Sequence, residues 1–159
     1  MLSLTLTFSL TLLMMVAFFS TKKHLHIFEL LFVFSLLVFV YTSFVSIISV
    51  NLKLWEISTE IQDLFALRLN GVIFVPLTIL WLIDLWHGLR SNLYRYALLF
   101  LCFFIFLWIG DYILRFYDVY QSHDGNYAIL GIVWGLIFFI MLLAQQWFRS
   151  LLIKEGNIS

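Results

Sequence analysis

Five stretches of the chain stay apolar for about the length of a bilayer crossing, which takes ~20 residues as a helix. They cover residues 2–20, 27–50, 72–89, 94–117 and 127–148. The first and last carry no formal charge, and the second carries only Glu29. The third has Asp84 and His87 near its end, and the fourth has Arg95, Asp111 and Arg115. Backbone N–H and C=O groups in hydrocarbon must be satisfied within the protein, so such stretches are helices unless a closed barrel forms. A barrel would show alternating segments of ~10 residues. The start of the chain does alternate, through Ser3, Thr5, Thr7, Ser9 and Thr11, but nothing later keeps that pattern. The pattern predicts an all-α polytopic transmembrane bundle of five spans, a single membrane domain over residues 1–159.

Between the second and third stretches the polar spacing changes. Apolar residues recur at Leu54, Ile57, Ile61, Leu64 and Phe65, and charged ones at Lys53, Glu56, Glu60 and Asp63. This two-faced helical spacing predicts a short amphipathic helix lying on the membrane surface. Thr59 with Gln62 fits a capping box, and Asn70-Gly71 reads as its stop and turn. The polar face is acidic, so attraction to anionic lipid is not its purpose.

Composition agrees with a lipid solvent. The 159 residues are 64% hydrophobic and 11% charged, against ~25% charged in an ordinary soluble domain. The formal net charge is zero, which leaves no basic footprint for nucleic acid. Cys102 is the single cysteine. It lies in an apolar run and reads as a packing residue.

The distribution of charge predicts orientation. No basic residue precedes the first apolar stretch and no small-x-small site follows it, so it reads as an anchor rather than a cleaved signal. With the N-terminus outside, Lys22, Lys23, Arg90, Arg95, Arg149 and Lys154 all fall on the cytoplasmic side. Lys53 and Arg68 fall outside, and Arg115 sits near the outer end of its span. Five alternating crossings thus satisfy the positive-inside rule, and the sequon Asn157-Ile158-Ser159 becomes cytoplasmic and unglycosylated. Aromatic belts fit the same boundaries: Trp55, Tyr117, Tyr120 and Tyr127 on one side, Trp86, Tyr94, Tyr96 and Trp147 on the other.

Ionisable residues within spans are candidates for function because they are costly there. His24, His26, Glu29, Asp84 and His87 all belong to the cytoplasmic end in this topology. Imidazole and carboxylate suit zinc or another divalent metal, and equally a proton relay. The spacing matches no dedicated motif such as H-E-x-x-H, so interfacial polar residues touching headgroups are the plainer expectation. Asp111 and Arg115 stand four apart in the favourable acid-before-base order, which predicts an intramembrane ion pair. Pro76, the only proline, predicts a kink in the third span. Gly131 and Gly135 form a G-x-x-x-G that suits close helix packing, within the bundle or in a homodimer. Ser35, Thr42, Ser46 and Ser49 share a face of the second span and read as its bundle-facing side.

The segments Trp81-x-x-Asp84-x-Trp86-His87 and Asp111-Tyr112, set among short loops, are similar to those of uncharacterised small multi-span membrane proteins of Gram-positive spore-forming bacteria. That resemblance implies a bacterial plasma membrane and assigns no residue a role.

There is no G-x-S-x-G, P-loop or Cys-x-x-Cys, and no cofactor is named by any motif. The reading that fits best is a non-enzymatic accessory, assembly or sensor protein acting through another membrane protein or a second copy. The alternatives are an intramembrane metal-dependent or proton-relay enzyme using the His/Asp/Glu group, and a small solute transporter.

Overall fold

The computed structural model describes the backbone of residues 2–53, 55–88, 93–122 and 127–155. Arg90 and the sequon 157–159 lie outside the described residues, as do the side chains of Arg95 and Tyr127 and the surroundings of Gly131. Among the described residues, five helices are long and apolar enough to cross a membrane. They are α1 (Leu2–Ser20), α2 (Ile27–Asn51), α3 (Ile61–Gly88), α4 (Leu93–Phe116) and α5 (Tyr127–Lys154). Large apolar side chains such as Phe39, Trp108 and Trp147 are exposed on the bundle's flanks. A surface of that kind suits lipid rather than water. The architecture is that of a multi-pass membrane protein.

The alternation at the start of the chain resolves into a helical period. Ser3, Thr7 and Thr11 are buried and continue through Met14 and Phe18, whereas Thr5 and Ser9 are exposed. Steps of four and three residues follow one stripe of a helix. Thr7 and Thr11 donate to the carbonyls of Ser3 and Thr7 at 2.8 and 2.7 Å. The hydroxyls therefore need no partner across the interface.

Helix α3 is the central element. Of its most apolar window 72% is buried, against 17–33% in the other four. Its core residues Phe74, Ile79 and Ile83 are fully buried, and they pack with Val33 and Leu37 of α2 and Phe138 and Met141 of α5.

The third span differs from the sequence expectation. Asn70-Gly71 is not a stop. Both residues sit in a π-helical turn, Asn70–Phe74, through which the helix continues from Ile61 to Gly88. The amphipathic stretch expected over 54–69 is divided: Trp55–Ile57 is a strand (β1), and Ile61–Leu69 is the first part of α3. Glu60, not Thr59, takes the N-cap position, without a side-chain capping bond. The reason is packing. A Cβ on Gly71 would lie 1.9 Å from the Tyr41 ring, so glycine here allows helix approach rather than a turn. The π turn also leads into Pro76, whose missing N–H leaves one carbonyl of the preceding turn without its usual donor.

A second departure is a two-stranded antiparallel pair. β1 (Trp55–Ile57) and β2 (Tyr120–Ser122) pair with Trp55 opposite Ser122 and Ile57 opposite Tyr120. β2 is placed by the end of α4. Asp118 adopts a left-handed φ of 53°, its N–H bonds Arg115 O at 2.9 Å, and the Val119 N–H bonds Leu114 O at 2.9 Å. These two bonds make a Schellman cap, closed by the buried pair Leu114 and Val119. Aspartate tolerates the left-handed region better than most residues.

Candidate functional site

Ionisable side chains gather at the two ends of the bundle, one marked by Lys23 and the other by Trp55. At the Lys23 end two carboxylates are sealed. Asp84 of α3 is fully buried. Its Oδ1 accepts from the backbone N–H groups of His24 and Leu25 at 2.7 and 2.9 Å. The α3 carboxylate thereby clamps the connection between α1 and α2. His24 Nδ1 stands 3.9 Å from Asp84 Oδ2, and Oδ2 has no hydrogen-bond partner among the described residues. Burial pulls the Lys23 amine below the usual lysine range, and the Asp84 charge partly opposes that shift.

Glu29 is the second sealed carboxylate. Its Oε2 accepts from the His26 N–H at 2.8 Å, while His26 Nδ1 accepts from the Phe28 N–H at 3.4 Å. The two residues cap the start of α2 reciprocally. Glu29 Oε1 accepts from Gln145 Nε2 at 2.9 Å and lies 3.9 Å from Arg149 Nε. One carboxylate thus starts α2 and ties it to α5.

The five residues that the sequence suggests for a metal or proton relay are therefore divided. Asp84 meets His24, Glu29 meets His26, and His87 Nδ1 lies 2.9 Å from Ile83 O of its own helix. Among the described residues no three His, Cys, Asp or Glu side chains are placed to hold a metal ion. Sequence reasoning missed Gln145 and Arg149 as partners of Glu29. Both lie more than a hundred positions further along the chain, and no local spacing signals such a contact.

The Trp55 end is built differently. Arg115 and Asp111 form the ion pair expected from their spacing. Tyr120 completes it: its hydroxyl donates to Asp111 Oδ1 and accepts from Arg115 Nε, the latter at 3.0 Å. Burial, and then the Asp111 charge, raise the Tyr120 hydroxyl well above the usual tyrosine range. Trp55 stacks on the Tyr120 ring with centroids 4.5 Å apart, so the strand pair holds the tyrosine over the ion pair. The tyrosine's part is not legible in the sequence, because the residues around it have the spacing of a connecting loop.

This triad is not sealed. Asp111 and Arg115 keep 20% and 17% of their side-chain surface. They open into a lateral cleft of 350 Å³ whose other walls are Trp108, Tyr112 and Phe116. These three aromatic residues are highly exposed, and Tyr112 stacks on Phe116.

A third polar region lies between the π-helical end of α2 and the π turn inside α3. Thr42, Ser46, Ser49 and Arg68 line a cavity of 190 Å³ beside Tyr41 and Gly71. The hydroxyls of Thr42 and Ser49 bond back to Val38 O and Val45 O, rather than across to another helix. Among the described residues, a Cβ on Gly135 would meet only the Phe104 ring, at 4.0 Å.

No protein-family model matches the chain, and neither a curated protein nor a solved structure matches it.

Proposed function

We propose that this protein works by contact with another membrane protein, as an accessory, assembly or sensor subunit, through the α4 flank at the Trp55 end. The observation that carries the reading is the direction in which the Asp111–Arg115–Tyr120 triad opens. It faces sideways, where lipid tails offer no hydrogen bonds and partly exposed charge is unfavourable. A protein partner that brings its own polar group can bond the surface that Asp111 and Arg115 leave exposed. Trp, Tyr and Arg are also the residue types that dominate binding energy at interfaces. The two sealed carboxylates fit the same reading, because each holds helices together and presents no open face to a substrate.

The orientation adopted is N-terminus outside and C-terminus cytoplasmic in a plasma membrane, as the charge bias supports. The Trp55 end then faces outward. A photocrosslinking amino acid at Tyr112 is the direct test. It is expected to join the full-length chain to one discrete partner, whereas the same group at the exposed Phe39 of α2 gives only lipid adducts. Equal lipid labelling at both positions would remove the basis for the proposal. A crosslink to a second copy would identify the partner as a homodimer.

A further inference from the structure

We infer that the flank formed by α1, α3 and α4 binds one anionic phospholipid, with an acyl chain in a groove and the phosphate at Lys22 and Lys23. The groove has a volume of 360 Å³, within the ~300–1,000 Å³ range of small-molecule pockets. Met14 forms its α1 wall, Thr78 and Trp81 its α3 wall, and Leu98, Cys102 and Phe103 much of its α4 wall. It opens to the side of the bundle, where Leu98 and Cys102 are exposed.

The walls select for hydrocarbon. Thr78 spends its hydroxyl on Phe74 O at 2.7 Å. The Trp81 indole N–H donates to Thr21 Oγ1 at 3.0 Å. The polar atoms of both residues are therefore engaged elsewhere, and an occupant with polar groups in the groove would lose its own hydrogen bonds.

One end of the groove is not neutral. Trp81 lines the groove and bonds Thr21, and Thr21 Oγ1 also accepts from Lys23 Nζ at 3.2 Å. Lys23 further bonds Phe18 O and sits 3.5 Å over the Phe18 ring. These contacts hold the ammonium at the groove's end, against α1, and Lys22 beside it is exposed. Asp84 lies near enough to act on Lys23, and its Oδ2 has no hydrogen-bond partner among the described residues, so part of the Lys23 charge is offset and the exposed Lys22 adds to what remains. A largely apolar groove, linked through Trp81 and Thr21 to Lys23 and with Lys22 next in the chain, matches a lipid with a negative headgroup. A neutral or zwitterionic lipid supplies the chain but not a net charge to pair with the lysines. The groove is lined by other residues than the Trp108–Tyr112–Phe116 cleft, so this inference stands or falls apart from the proposed partner contact.

The test is native mass spectrometry of the full chain in mild detergent with added phosphatidylglycerol or phosphatidylcholine. One phosphatidylglycerol per chain is expected to survive, with at least a tenfold preference over phosphatidylcholine. Leu98→Trp, which fills the groove, should abolish retention, and the double variant Lys22→Gln/Lys23→Gln should erase the preference. Ile132→Trp on the exposed face of α5 should change neither. Should Leu98→Trp fail to fold, the wild-type chain still tests the inference through its only thiol. Phosphatidylglycerol should slow alkylation of Cys102 at least tenfold more than phosphatidylcholine does. Equal retention of both lipids, retention that survives Leu98→Trp, or equal protection of Cys102 would overturn the inference.

Discussion

The two ends of the bundle solve the problem of charge in a membrane in opposite ways. At the Lys23 end, Asp84 and Glu29 are 0% and 1% exposed, and each accepts bonds from a different stretch of chain. At the Trp55 end, Asp111 and Arg115 share one helix, and the Tyr120 hydroxyl reaches both from the strand pair. The first arrangement connects α3 to the α1–α2 turn and α2 to α5, so it specifies how helices assemble. The second keeps a polar face open, and helix assembly at that end rests on the aromatic and aliphatic cluster around Trp55 and on the bond from Ser3 of α1 to Asp63 of α3. A sealed carboxylate acts on the fold, whereas a half-open one has surface left to act on something else.

The largest effect is expected from Asp84→Ala. It strands the backbone N–H groups of His24, part-buried, and Leu25, buried, and should destabilise the bundle by ~3 kcal/mol, given ~1–3 kcal/mol for each unsatisfied buried group. Thermal unfolding in detergent, followed by circular dichroism, measures it. A midpoint equal to wild type would break the contrast between the ends.

Next comes Gly71→Ala, which drives a methyl into Tyr41. Overpacking of this kind costs ~1–3 kcal/mol, and Tyr41→Ala in the same chain should recover part of the loss. Additive losses in that double-mutant cycle would show that the glycine serves something other than helix approach.

Arg115→Met should be milder for stability, by ~1 kcal/mol, because the pair it breaks is partly exposed and local. Its effect on crosslinking at Tyr112 should be larger, a loss of most of the partner adduct. If stability fell as far as in Asp84→Ala while the adduct persisted, the open triad would be a structural clamp like the other.

The smallest effect is assigned to Gly135→Ala. Among the described residues a methyl there meets only the Phe104 ring, at 4.0 Å, and better helix propensity should stabilise by ~0.5–1 kcal/mol. Destabilisation in the purified monomer would mean that Gly135 packs more closely than its surroundings show.

Much of the fold was legible because hydrophobic length and helical spacing are local properties. The starts and ends of α1 and α4 match the apolar stretches within a residue or two, and the Asp111–Arg115 pair follows from spacing alone. The expectations that failed were those that depended on neighbours. Asn70-Gly71 has the composition of a turn, yet Tyr41 of another helix makes the glycine a contact point. Ile57 fits a helical pattern, yet pairing with Tyr120 draws it into a strand. The end of α4 does carry a local cap signal, a polar residue at Asp118 followed by the apolar Val119.

By itself the sequence determined that the chain is a bundle of apolar helices, how many there are, and which charges each carries. It did so because twenty apolar residues in a row have one low-energy form in lipid, whatever surrounds them. Tertiary structure alone decided that α3 lies at the centre, that Asp84 and Glu29 are sealed, and that Asp111 and Arg115 are not. Those outcomes rest on contacts between residues far apart in the chain, such as Glu29 with Gln145 and Asp84 with His24, which exist only once the helices have packed.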